Sequence, residues 1–138
     1  AGPAWVAGAE ARLAASPAWQ ATPEQRRIAW YWRGLLALAA GDAGRAEVFL
    51  HRAVAPGDGP VPRALAGAVQ AGEGWVRLAA GDTAGALARL EAGLRAAGYG
   101  DQTLSRLVRP TAILHVRLLA RRPERRREAI DRLRAITD

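Results

Sequence analysis

Two segments of this chain repeat each other at a distance of 40 residues. Residues 30–54 and 70–94 align without gaps, and eight of the 25 aligned positions are identical. The longest shared run is Leu-Ala-Ala-Gly-Asp, at 38–42 and again at 78–82. Self-similarity at a period of this size is typical of folds that stack one small structural unit on the next. The repeat therefore constrains the fold more than any single motif does.

Each repeated position has a physical role in a pair of packed helices. The shared Gly-Asp pair, at 41–42 and 81–82, combines a helix stop with the N-cap of the following helix. Gly34 and Gly74 are small at points where two helices are expected to cross closely. The remaining repeated positions are small or apolar residues that bring the second helix close to the first: Ala46, Ala86, Leu50 and Leu90.

The composition favours helices throughout. The chain holds 33 Ala and 16 Leu, against 17 residues of Val, Ile and Thr combined, and Ala and Leu are strong helix formers whereas β-branched residues favour strands. Proline, glycine and capping residues divide the chain, as at Thr22-Pro23-Glu24-Gln25, which reads as an N-cap with a capping-box Gln. About seven helices are predicted: 3–15, 23–40, 42–55, 62–80, 82–97, 101–121 with a kink or restart at Pro110, and 123–136.

The repeated positions resemble the pattern of the tetratricopeptide repeat family. That pattern has an aromatic residue, a small residue, a turn, then Ala, a large apolar residue and a second Ala. The matching residues of the first copy are Trp30, Gly34, Gly41, Ala46, Leu50 and Ala53. The second copy departs at Gln70 and Gly93, a third is degenerate at Ala129, Leu133 and Ile136, and the period is 40 rather than about 34 residues.

The resemblance implies an all-α fold, a right-handed superhelical stack of about three antiparallel helical hairpins with an extra N-terminal helix. One domain, 1–138, is expected. Its parts are an N-terminal helix or cap at 1–21, a first repeat at 22–57, a second at 60–98 and a degenerate third at 101–138. Trp5 and Trp19 are expected to dock the N-terminal helix onto the stack.

The resemblance also implies a concave face lined by the first helix of each hairpin. Trp30 falls at a core position, whereas Tyr31 and Leu35 are expected to point toward the concave face. Trp75 occupies the place of Leu35 in the second copy, and Trp32 lies beside this stripe. Aromatic side chains dominate the energetic centres of protein interfaces, so Tyr31, Trp32, Leu35 and Trp75 are the candidate contacts to a protein or peptide partner. The alternative is that a loop or the N-terminal helix covers them.

Arginines form a second set of candidate contacts. If the helix at 101–121 lines the groove, Arg106, Arg109 or Arg117 would offer guanidinium donors to a carboxylate of the partner. The carboxylate clamp of the family uses Lys and Asn, and this chain contains neither.

Catalysis and cofactor binding have little support in the sequence. Cys is absent, which excludes disulfides, thiol catalysis and Cys-based zinc sites. His51 and His115 have no acid at metal-ligand spacing, and the glycine pairs at 57 and 59 and at 98 and 100 lack a phosphate-loop context. A non-enzymatic binding module without cofactor is therefore the favoured hypothesis.

The net charge of +7 leaves other partners open. Residues 101–138 hold 10 Arg and 5 acidic residues, but acids interrupt the run at 121–128 and no aromatic residue follows Tyr99. A solvated end helix is therefore favoured over a nucleic-acid surface. The alternative function is a sensor or dimerisation module from a larger bacterial transcription activator, and homo-oligomerisation through exposed Trp also stays open.

The location of the protein is not determined by the sequence. No run approaches the roughly 18 apolar residues of a membrane span, so no membrane span is expected. The visible start has no signal-peptide pattern. A cytoplasmic location is favoured, with a processed periplasmic or secreted form as the alternative.

Overall fold

The computed structural model of the chain describes residues 4–97 and 109–137, and these residues form helices without any strand. The chain is all-α in this part, as predicted. Its elements in chain order are α1 Ala4–Ala15, α2 Pro17–Gln20, α3 Pro23–Ala39, α4 Ala43–Ala53, α5 Arg63–Ala79, α6 Thr83–Ala96, α7 Arg109–Ala120, a 3-10 turn Pro123–Arg125, and α8 Arg126–Thr137.

The repeated Gly-Asp pair ends one helix and starts the next in both copies, as predicted. Gly41 and Gly81 have φ values of +83° and +85°, a region that glycine enters without steric cost. The carboxylates of Asp42 and Asp82 each accept a hydrogen bond from the backbone N–H three residues later, at 3.0 and 2.8 Å. These caps satisfy donors that the first helical turn leaves without a partner.

Some boundaries differ from the predicted ones. The segment around Trp19, expected to be a turn, forms the one-turn helix α2, and the last helix starts as a 3-10 turn at Pro123. The predicted helix at 101–121 lies in part outside the described residues. Its described part begins at Arg109, and Pro110 is the second residue of that part.

Glycines bring the helices of two hairpins, α3/α4 and α5/α6, into close contact. A Cβ atom added to Gly34 of α3 would lie 2.9 Å from the Leu50 side chain of α4. In α5, a Cβ on Gly74 would lie 2.9 Å from the carbonyl oxygen of Ala86, and one on Gly67 would lie 2.6 Å from that of Gly93. The predicted close crossings at Gly34 and Gly74 are thereby confirmed, and α5 and α6 approach each other backbone to backbone.

The connection between the first two hairpins is held by two adjacent arginines of α3. Arg27 is almost completely buried and donates to the carbonyl oxygens of Ala53, Asp58 and Gly59 at 3.0, 3.1 and 2.7 Å. Arg26 pairs with the Asp58 carboxylate at 2.7 Å. The extra residues of the 40-residue period therefore form an ordered connection.

One apolar core contains residues from every helix between α3 and α8. It includes Leu50 of α4, Leu65 of α5, Leu90 of α6 and Leu119 of α7. No helix in 4–97 or 109–137 has the length and apolar character needed to cross a membrane.

Candidate functional site

Two of the predicted groove residues lie in the core. Tyr31 is completely buried, and Leu35 is only 9% exposed. The Tyr31 side chain forms a hydrogen bond with the side chain of Thr111 on α7, and burial raises the pKa of the tyrosine well above its usual value. The expectation that Tyr31 and Leu35 point toward an open concave face does not agree with this burial, and Tyr31 instead contacts Thr111 of α7.

The other predicted contact residues are spread over the molecule. Trp75 is half-buried against the core, and its indole Nε1 is enclosed without an acceptor among the described residues. Arg109 and Arg117 are exposed on α7. Trp32 lines a sizeable apolar cleft. The structure thus does not bring the six predicted residues together.

That cleft, here called the N-terminal cleft, lies between α1, α2 and α3 and has a volume of about 490 Å³. Arg12 is exposed and the other lining side chains are half-buried, so the cleft is accessible from solvent. Its volume falls within the range of about 300–1,000 Å³ that is usual for binding sites. The residues that line it are Ala9, Arg12, Leu13, Ser16, Trp19, Trp32 and Leu36.

A buried carboxylate fixes one wall of the cleft. Glu10 of α1 is 8% exposed and pairs with Arg33 of α3 at 3.4 Å and with Arg45 of α4 at 2.5 Å. The Arg33 guanidinium also lies over the rings of Trp30 and Phe49, at 4.5 and 4.6 Å from their centroids. These contacts hold α1 across the first hairpin and leave the faces of Ala9 and Leu13 turned toward the cleft.

Polar contacts to the backbone hold the second wall. The Gln20 side chain of α2 donates to the carbonyl oxygen of Leu13 at 3.4 Å, and Arg26 of α3 donates to that of Gln20 at 2.9 Å. These hydrogen bonds hold the short helix α2 between α1 and α3, and Trp19 of α2 and Trp32 of α3 both line the cleft. Trp32 in turn meets the Tyr31 ring edge-on, with a centroid distance of 5.4 Å.

The chemistry of the cleft suits an apolar group next to a negative charge. Leucine and tryptophan side chains form most of its surface, while Arg12 at the rim has no ion pair with any residue in the described ranges. Among the described residues, neither a carboxylate nor a histidine lines the cleft. The arrangement can bury an apolar side chain and pair a nearby carboxylate with Arg12.

Sequence reasoning identified part of this cleft. Trp32 was among the predicted contact residues, and Trp19 was expected only to dock the N-terminal helix. Arg12 and Leu36 were missed. The sequence does show that α1 and α3 each carry apolar residues on one face. The distance between these two faces, however, is set by the ion pairs of Glu10 with Arg33 and Arg45.

The two histidines lie in different settings. His51 is exposed, 3.7 Å from Glu73, which also pairs with Arg89 at 3.0 Å. His115 is buried on α7, with Nε2 3.4 Å from Glu91. Within 4–97 and 109–137, no three side chains of His, Asp or Glu are grouped so that they could hold a metal ion.

Comparison of the chain with protein-family models, with curated proteins and with solved structures finds no match in any of the three.

Proposed function

We propose that this chain is a non-enzymatic protein-interaction module that binds an apolar segment of a partner protein in the N-terminal cleft. The observation that carries the proposal is an accessible apolar cleft lined by two half-buried indoles, those of Trp19 and Trp32. Trp is enriched among the residues that dominate binding energy in protein interfaces.

The framework that we propose for this module is a tetratricopeptide-like stack of three hairpins, α3/α4, α5/α6 and α7/α8. Supporting it are the helix crossings at Gly34 and Gly74 and the caps at Asp42 and Asp82, which recur at the same spacing. The N-terminal helix α1 is the extra element. The partner then binds beside the stack, because Tyr31 and Leu35 are buried in the core.

Arg12 defines the polar part of the partner segment. It lies at the rim of an apolar cleft that holds no carboxylate. A guanidinium in this position pairs best with a carboxylate, and it can do so with two parallel hydrogen bonds. We therefore propose a segment in which a large apolar side chain lies next to an Asp, a Glu or the C-terminal carboxylate of the partner.

The test is selection of peptides from a random phage-displayed library on the purified protein. We expect the selected sequences to share a bulky apolar residue near an acidic one. The protein is then labelled with fluorinated tryptophan, which gives one fluorine resonance for each of its five Trp. A synthetic selected peptide is expected to shift the resonances of Trp19 and Trp32.

Trp5 provides the matched control, because it lies on α1, is 62% exposed and does not line the cleft. Trp5→Ala is expected to leave peptide affinity unchanged, whereas Trp32→Ala and Arg12→Glu weaken it. Equal binding to all three folded variants would overturn the proposal. Strong, salt-sensitive binding of duplex DNA without peptide binding would instead favour the transcription-activator alternative, because phosphate contacts weaken steeply with salt.

A further inference from the structure

The three copies of the repeat place a leucine at the same position of the second helix. The positions are Leu50 in α4, Leu90 in α6 and Leu133 in α8. Leu50 and Leu90 are completely buried, but Leu133 is 48% exposed. The alanine one turn earlier shows no such difference in exposure, because Ala129 is buried like Ala46 and Ala86 of the first two copies.

The surroundings of Leu50 explain what buries this leucine. A Cβ on Gly34, in its own hairpin, would lie 2.9 Å from Leu50 Cδ2, and one on Gly72, in α5 of the next hairpin, would lie 3.1 Å from the same atom. The leucine is thus wedged between its own hairpin and the first helix of the following one. In the second copy, α7 packs against α6.

In the third copy, the corresponding leucine, Leu133, lines a groove on the surface of α7 and α8. Among the described elements, α8 packs only on α7 and on the 3-10 turn. A groove of about 260 Å³, here called the α8 groove, runs along this face. Its lining residues are Val116 and Ala120 of α7 and Arg126, Ala129, Ile130 and Leu133 of α8.

The charges around the α8 groove indicate the chemistry of its occupant. Residues 121–134 hold seven Arg and three acidic residues. Arg126 lines the groove and forms no ion pair within the described parts of the chain. Complementary potentials set the choice of partner and the rate of encounter, so an acidic helix is favoured.

A second copy of this chain fits the groove less well. The chain carries a net charge of +7, so two copies repel each other. The exposed face of α1 is rich in small residues, but its one acid, Glu10, is buried in ion pairs with Arg33 and Arg45.

We propose that the α8 groove is a second interaction surface, which docks an acidic amphipathic helix from a partner protein. The helix carries Gly or Ala where it crosses Leu133, in the way that Gly72 meets Leu50. Acidic side chains of the helix pair with Arg126 at the rim. This surface is separate from the N-terminal cleft and does not depend on it.

The probe for the test is a synthetic peptide with the sequence of α5, residues 63–79, carrying Arg63→Glu and Arg77→Glu. A lactam bridge on its outer side keeps it helical, since an isolated helix of this length is marginal in water. Fluorescence anisotropy of the labelled peptide measures binding to the intact chain. We expect saturable binding that Leu133→Arg weakens about tenfold or more, as for a central interface residue.

Three controls make the result specific. Ile113→Arg, at an exposed apolar position of α7 outside the groove, is expected to leave the affinity unchanged. A peptide that also carries Gly72→Leu, and one that retains both arginines, are expected to bind more weakly. Circular dichroism confirms that both protein variants are folded.

The proposal fails if the helical peptide does not bind, or if Leu133→Arg and Ile113→Arg affect binding equally. It also fails if sedimentation shows self-association that Leu133→Arg abolishes, because the occupant is then a second copy. Failure of the N-terminal cleft to bind its selected peptides would not contradict this proposal, because the two surfaces are separate.

Discussion

Tyr31 of α3 forms a side-chain hydrogen bond with Thr111 of α7, so a direct contact joins the first helices of the first and third hairpins. Both side chains are completely buried. A buried hydroxyl pair of this kind stabilises the fold mainly because either group alone would be left without its partner.

Removing both hydroxyls is therefore expected to cost less than the sum of the two single removals. Tyr31→Phe and Thr111→Val should each lower the free energy of unfolding by about 1–2 kcal/mol. The double variant should lose less than the sum of the two, because it leaves neither hydroxyl unsatisfied. Urea denaturation of all four proteins measures the coupling, and strictly additive losses would show that the two side chains do not act as a pair.

The two repeated glycines are expected to differ in their tolerance of alanine. At Gly74 the new methyl group would meet the carbonyl oxygen of Ala86 at 2.9 Å, whereas at Gly34 the nearest atoms belong to the Leu50 side chain. A side chain can shift more easily than a backbone. Gly74→Ala should therefore lose about 1–3 kcal/mol of stability, and Gly34→Ala less.

Gly8 provides the control for this comparison. It lies within α1, and an added Cβ there meets no atom within 4 Å. Gly8→Ala should raise stability by about 0.5–1 kcal/mol, because alanine lowers the entropy cost of helix formation. If Gly8→Ala and Gly74→Ala had the same effect, close packing would not be the reason for glycine at position 74.

The buried guanidinium of Arg27 is expected to stabilise the connection between the first two hairpins. It donates to three carbonyl oxygens, of Ala53, Asp58 and Gly59. Arg27→Leu should lower the free energy of unfolding by about 2–3 kcal/mol, since these acceptors lose their donor. Limited proteolysis should then cleave first between residues 54 and 62.

Arg26→Ala is the matched control for this prediction. It removes the partly exposed ion pair with Asp58 and the hydrogen bond to the Gln20 carbonyl oxygen, and pairs as exposed as this one contribute little to stability. Equal losses for Arg26→Ala and Arg27→Leu would contradict the proposed role of the buried donor.

His115 is expected to make the fold sensitive to mild acid. Burial lowers the pKa of its imidazole below the ordinary value of 6.5, although Glu91 and Glu128 act in the opposite direction. The unfolded chain therefore binds a proton more readily than the folded one as the pH falls below about 6.5. Stability should decrease from that pH down to the folded-state pKa, and then level off with respect to this group.

Denaturation at a series of pH values tests this prediction. His115→Gln should flatten the decrease below pH 6.5. The pKa of Glu128 is lowered by its hydrogen bonds from Arg125, so its loss of stabilisation begins only in stronger acid. An unchanged pH profile in His115→Gln would show that the imidazole does not carry the effect.

The sequence by itself determined the helices and their turns. Ala and Leu content, the Gly-Asp pairs and the prolines act over a few residues, which is why the bounds of α3 to α6 agree with the prediction to within two residues. The close crossings at Gly34 and Gly74 were also predictable, because a hairpin joins neighbours along the chain.

Only the tertiary structure decided which helical faces stay accessible. Tyr31 and Leu35 have the spacing of a surface stripe, yet they are buried in a core to which residues from α4 to α8 contribute. Trp32, one residue from Tyr31, stays half-exposed because the Glu10 ion pairs place α1 beside it and not over it. Leu133 repeats the sequence position of Leu50, but its exposure depends on whether another helix packs on it. Local sequence sets the periodicity of an apolar face, whereas contacts between distant segments determine what covers that face.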